Sequence, residues 1–182
     1  NNNVLRNIYY LYLSDIQGSE NLALDYLRLC YKYGIDINLA KNNETIILVD
    51  KYCKRVSGEA HSFTGFVRFK EIGPLSYYSV IEPDHNILPI ILRHFTNRFS
   101  DQNFIIHDLK REKAIVYNTK EAIITDLTKE QGEKLSNKID DSDFENLWRT
   151  FYNSVNIEER KNHKCRNQHM PRRYWKHLTE LQ

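Results

Sequence analysis

The chain of 182 residues carries 26 Lys+Arg against 24 Asp+Glu, a formal net charge of +2, and 41% hydrophobic residues with only six Gly and four Pro. This composition excludes a disordered or fibrous polypeptide and suffices for one substantial core, and no run approaches the roughly 20 consecutive apolar residues of a membrane helix. A charge of +2 identifies no polyanionic partner, so the distribution of charge carries the information instead.

Val4 to Leu13, "VLRNIYYLYL", is expected to be a short helix. Its apolar stretch is broken by Arg6, Asn7 and tyrosines and has no small-residue cleavage site behind it, so it does not read as a signal peptide. "SENLALDYLRLCYKYG" follows, with Ser19 expected as N-cap, Leu22, Tyr26, Leu29, Cys30 and Tyr33 at helical spacing, and Gly34 as the stop. A longer helix begins near Asn43 and turns Ile46, Ile47, Val49, Tyr52, Cys53 and Val56 toward a core.

The character changes at Phe66. "FVRFKEI" alternates, "LSYYSVIE" is aromatic and β-branched, and Gly73-Pro74 between them signals the turn of a hairpin. Ile87, Leu88, Ile91, Leu92, Phe95 and Phe99 return to helical spacing, with Pro89 tolerated in the first turn. "NFIIHDL", "KAIVYN" and "AIITDL" are three further strands, joined by connections short enough to make them antiparallel neighbours. "KEQGEKLSNKI" and "DSDFENLWRTFYNSV", the latter capped by Asp141 or Ser142, are expected helices. The architecture expected is α+β: an antiparallel sheet of about five strands flanked by helices, in a single domain over 1–182 with a helical N-terminal third and a helical C-terminal tail.

Cys30, Cys53 and Cys165 are odd in number and lack CxxC spacing, which points to reduced thiols and a cytoplasmic setting. As a metal site, His163, Cys165 and His169 fall short of the four ligands, or three plus water, that zinc takes, and scattered polar side chains are the simpler reading.

Charge concentrates near the end of the chain. Arg160, Lys161, Lys164, Arg166, Arg172, Arg173 and Lys176 occur with no Asp or Glu among them, after a predominantly acidic stretch from Asp140 to Glu159. Arg and Lys neutralise phosphates with release of counterions, and Tyr174 and Trp175 offer faces for unstacked bases. The competing reading has Tyr174 and Trp175 anchoring a terminal helix while the arginines stay solvated, because neighbouring helical positions point in different directions.

A second candidate pairs "IEPDHN", Ile81 to Asn86, with "IIHDLKR", Ile105 to Arg111. Pro83-Asp84 followed by Asp108-x-Lys110 fits a loose nuclease pattern in which Glu82, Asp84 and Asp108 hold Mg or Mn and His85 or His107 transfers a proton. A helix between the two halves departs from that pattern, and Asp84 as a helix cap and Asp108 as a turn residue are the structural alternatives. In "EAHSFTGFVRF", Gly65 signals close backbone approach or a helix stop, and Arg68 is an ordinary polar residue if its face is solvated, or requires a partner such as phosphate or Glu82 if helices cover that face.

"HSFTGFVRF", "IEPDHNILPIILRHFTNRF", "FIIHDLKREKAIVYN" and "NHKCRNQHMPRRYWKHLTE" together resemble a bacterial family of unknown function labelled as DNA metabolism or DNA repair proteins. The resemblance runs from the helix before His61 to the end. It implies a setting beside a radical S-adenosylmethionine protein, with related domains fused to a uracil-DNA glycosylase-like domain, and members with a further N-terminal segment. The combined expectation is a nucleic-acid-associated accessory module without a cofactor, its phosphates held by Arg166, Arg172, Arg173 and Lys176 and its surface extended by Arg68, Arg98 and Arg111. A metal-dependent phosphodiesterase and a protein-interaction scaffold are the alternatives.

Overall fold

The computed structural model describes residues 2–136, 150 and 162–181, and its fold is α+β. The expected helix from Asp141 or Ser142 to Val155, and Arg160 and Lys161 of the basic run, lie outside the described residues. The chain forms two compact units, Asn1–His61 with Pro83–Ile87, and Ser62–Glu82 with Leu88–Gln182.

The first unit is helical. It contains α1 (Asn2–Leu13), α2 (Ser19–Tyr33), a 3-10 turn (Ile35–Leu39) and the larger part of α3 (Glu44–Phe66). Leu11, Tyr26, Ile46 and Val49 form its core, with Val4, Ile8, Leu22 and Leu29 packed around them. Asn7 donates to the Tyr26 hydroxyl at 3.1 Å, which donates to Asn38 Oδ1 at 2.8 Å. The chain of bonds satisfies polar groups that burial would otherwise penalise.

Helix ends follow their signals with one correction. Gly34 ends α2 with φ 75° and sends its N–H to Cys30 O, and Asn43 Oδ1 accepts the Ile46 N–H at the start of α3. Gly18, not Ser19, is the cap of α2, without a side-chain bond; its φ of 84° belongs to the left-handed region that glycine enters without strain. Ser19 is the buried first residue of the helix.

The second unit holds a five-stranded sheet in the order β1 (Lys70–Gly73), β2 (Ser76–Ile81), β3 (Asn103–Asp108), β4 (Lys113–Asn118), β5 (Ala122–Asp126). Neighbours are antiparallel except β2 and β3, which run parallel. The connection between them contains α4 (Leu88–Arg98), and a helix between two neighbouring strands returns the chain to its starting end.

β1 starts four residues later than the alternation from Phe66 suggests. α3 continues through Phe66, and Phe69 leaves the ladder to pack edge-on against Phe95, Phe99 and Phe104 at 5.2–5.8 Å between ring centroids. A methyl placed on Gly65 meets nothing within 4 Å, which argues against a close backbone approach there, and α3 ends one residue later at Phe66.

Tyr77, Phe104, Tyr117 and Ala122 are register partners across the sheet, on the face that carries Phe95 and Phe99 of α4. On the opposite face Tyr78 and His107 meet α5 (Lys129–Ser136) at Gly132. α5 begins with a reciprocal cap in which Thr128 Oγ1 accepts the Gln131 N–H and Gln131 Oε1 accepts the Thr128 N–H. No helix among the described residues is long and apolar enough to cross a membrane.

Candidate nucleic-acid interface

The C-terminal segment is anchored at some residues and open at others. Asn162 caps α6 (His163–His169) by accepting the Cys165 N–H at 2.9 Å. Pro171 then leads into 3-10 turns at Arg172–His177 and Thr179–Leu181. Tyr174 is 4% exposed, its ring 4.9 Å from Phe63 in an edge contact and 6.0 Å from Phe66, and Leu178 is fully buried. These two side chains hold the tail down, so Tyr174 acts as the anchor of the competing reading and offers no open ring face.

Trp175, the next residue, is only half-buried, and its indole N–H donates to Met170 O at 2.9 Å. The Arg166 guanidinium lies 4.8 Å and the Arg172 guanidinium 5.5 Å from the indole ring centre. Both are within the roughly 6 Å at which a cation is attracted to an aromatic face. Among the described residues no carboxylate pairs with either arginine, although Arg166 also contacts His163 Nδ1 at 3.2 Å. The pair of cations is thereby held beside an aromatic ring, with no carboxylate partner among the described residues.

Of the other basic candidates, Lys176, Arg173, Arg111 and Arg68 are bonded within the fold, whereas Arg98 has only a ring contact among the described residues. Lys176 Nζ bonds Glu82 Oε2 at 2.6 Å, and His177 Nε2 lies 3.5 Å from Glu82 Oε1. Burial alone would raise the Glu82 carboxyl, but the Lys176 hydrogen bond and charge, with His177, outweigh it and hold the group below the usual glutamate range. Arg173 donates to the Tyr174 hydroxyl at 2.9 Å and lies over the same ring. Arg111 bonds Asp108 at 2.8 Å, Arg68 folds back onto Gly65 O at 2.7 Å, and Arg98 sits 5.8 Å from the centre of the Phe99 ring.

The carboxylates and histidines of the nuclease pattern have partners within the fold. Asp108, fully buried, accepts the Lys110 and Arg111 backbone N–H groups as well as the Arg111 guanidinium, building the turn into β4. Burial nevertheless keeps its carboxyl above the ordinary aspartate range. His107, also fully buried, has Nδ1 2.7 Å from the Tyr78 hydroxyl and Nε2 2.8 Å from Leu127 O, so Nε2 carries the proton and Nδ1 accepts from the tyrosine. Asp84 and His85 belong to the first unit, where their backbone N–H groups both donate to the Glu59 carboxylate at 2.8 Å. His85 Nδ1 donates to Ser14 O at 2.8 Å. Among the described residues no three His, Cys, Asp or Glu side chains form a group able to hold a metal ion, and Cys165 is exposed beside His163 and His169 on α6.

Glu59 is the residue that the sequence does not announce. Its two oxygens serve amides 25 and 26 residues further along, and no local spacing encodes such a partner. The α+β fold with this terminal segment belongs to a family: the chain matches the domain of unknown function DUF4130 over residues 17–180 and is a member of it. No curated protein and no solved structure matches the chain.

Proposed function

We propose that this protein is an accessory module of DNA metabolism or repair that binds DNA, single-stranded by preference, through the surface formed by Arg166, Trp175 and Arg172. It works beside a radical S-adenosylmethionine protein or a uracil-DNA glycosylase-like domain, the setting implied by the family resemblance. The observation that supports this reading is the pair of guanidiniums, without a described carboxylate, within 4.8 and 5.5 Å of the centre of a half-buried indole ring. A phosphate supplies a counter-charge, and a base finds a ring on which to stack, a contact worth about 1–3 kcal/mol. Asp108 and Glu82, by contrast, are each bonded to a cation of the fold.

The test is the affinity for single-stranded DNA as a function of salt. Binding weakens as salt rises, and replacing Arg166 and Arg172 together with alanine lowers the slope of log K against log salt by roughly 1.4, two single-strand phosphate contacts. An unchanged slope contradicts the assignment. Recovery of either partner from nuclease-treated extracts tests the protein contact separately from the nucleic acid.

A further inference from the structure

The second unit contains a cavity of about 180 Å³ lined by Phe69, Tyr77, Phe99, Gln102 and Phe104. Pockets for drug-sized ligands run from about 300 to 1,000 Å³, so this one fits a single ring system. Its walls are aromatic: Phe99 and Phe104 both lie near Phe69, at 5.2 Å and 5.8 Å between ring centroids. Phe69, Tyr77, Phe99 and Gln102 are each half-buried, so these side chains keep accessible surface.

Two polar groups interrupt the apolar lining. Among the described residues neither the Tyr77 hydroxyl nor the Gln102 side-chain amide has a hydrogen-bond partner. The amide offers both a donor and an acceptor, and the hydroxyl does the same. A planar ligand with hydrogen-bonding groups around its edge satisfies them, whereas a phenyl ring does not.

Charge at the rim narrows the class further. Arg98, exposed at the end of α4, lies over the Phe99 ring, and no described carboxylate pairs with it. Glu71, exposed on β1, is the register partner of Tyr77. An anionic group on the ligand is therefore attracted toward Arg98 at the end of α4.

From this combination we infer that the cavity receives one unstacked nucleobase, with its phosphate toward Arg98. The inference rests on the nucleic-acid reading proposed above and names the unit that is recognised: a single base, read at its edge by Tyr77 and Gln102.

The test titrates the full chain with nucleoside 5′-monophosphates, following backbone amide shifts by NMR, with inorganic phosphate and N-acetyltryptophanamide as comparison probes. Monophosphates are expected to shift Tyr77 and Gln102, and Gln102→Ala to weaken them roughly fivefold to tenfold, the effect of one lost hydrogen bond. Arg98→Ala weakens monophosphates but leaves the corresponding nucleosides unaffected. No shift at these residues, equal binding of inorganic phosphate, or tighter binding of the tryptophan amide than of any nucleotide overturns the inference.

The two readings fail separately. Mononucleotide binding in the cavity without oligonucleotide binding removes the Arg166–Trp175–Arg172 surface and supports the cavity. Salt-dependent oligonucleotide binding with no response at Tyr77 and Gln102 overturns the cavity alone.

Discussion

At Gly132 an added methyl group would lie 2.6 Å from His107 Nδ1 and 2.6 Å from the Tyr78 hydroxyl. Alanine is favoured over glycine inside a helix by about 1 kcal/mol. Here, however, the obstructing atoms belong to two buried rings tied by a 2.7 Å hydrogen bond, and neither can turn aside without breaking it. Gly132→Ala is therefore expected to lower stability by about 1–3 kcal/mol in a denaturant titration, and a gain would contradict the packing described. Burial also holds His107 below the usual histidine range, against smaller opposing effects of the Leu127 hydrogen bond, Asp108 and Glu112. A lowered folded-state value means that the unfolded chain takes up the proton first. Stability is thus full above the ordinary histidine range and declines as pH falls through it toward the folded value. His107→Gln keeps a donor for Leu127 O, removes the His107 Nδ1 that faces the Tyr78 hydroxyl, and should flatten that part of the pH profile while costing about 1–3 kcal/mol at neutral pH. An unaltered profile would show that His107 is not its source.

Among the elements, the tail has the clearest pH signature. Glu82 joins it through Lys176 and His177, and the glutamate's depressed value contributes stability that is complete above the ordinary glutamate range and lost as pH falls through the folded value. Acidification should release the 3-10 turn at Arg172–His177 before the sheet melts, observed as a change in Trp175 emission preceding the main far-UV transition. Glu82→Gln should remove the early step, and its persistence would assign the anchoring to Tyr174 and Leu178 alone. Elements with a local code were readable from the sequence, among them Gly34 closing α2 and the three strands after Asn103. Ser19 failed as a cap because the geometry of the preceding turn favours the glycine beside it, a preference that a serine-first rule does not weigh. The parallel β2–β3 pair follows from α4 itself, since a helix between neighbouring strands is a crossover as well as a flanking layer.

Across the molecule, a net charge of +2 conceals the division between cations that pair with a carboxylate of the fold and cations that have no such partner among the described residues. Composition marks the end of the chain as basic and aromatic, and the side chains named from it include Arg166, Arg172 and Trp175. Lys176 and Arg111 look equivalent in the sequence, but each bonds an internal carboxylate, and the Glu82 partner of Lys176 is 94 residues away, beyond the reach of any motif. Adjacent Tyr174 and Trp175 separate in the same way, one packed on Phe63 and the other half-buried near Arg166 and Arg172. The most direct measurement uses a Trp148→Phe chain, in which Trp175 is the remaining tryptophan, titrated with single-stranded DNA at low and raised salt. The account predicts quenching of Trp175 emission that salt reverses and that the Arg166→Ala, Arg172→Ala pair abolishes. Emission indifferent to DNA, or quenching that neither salt nor the two substitutions alter, would contradict it.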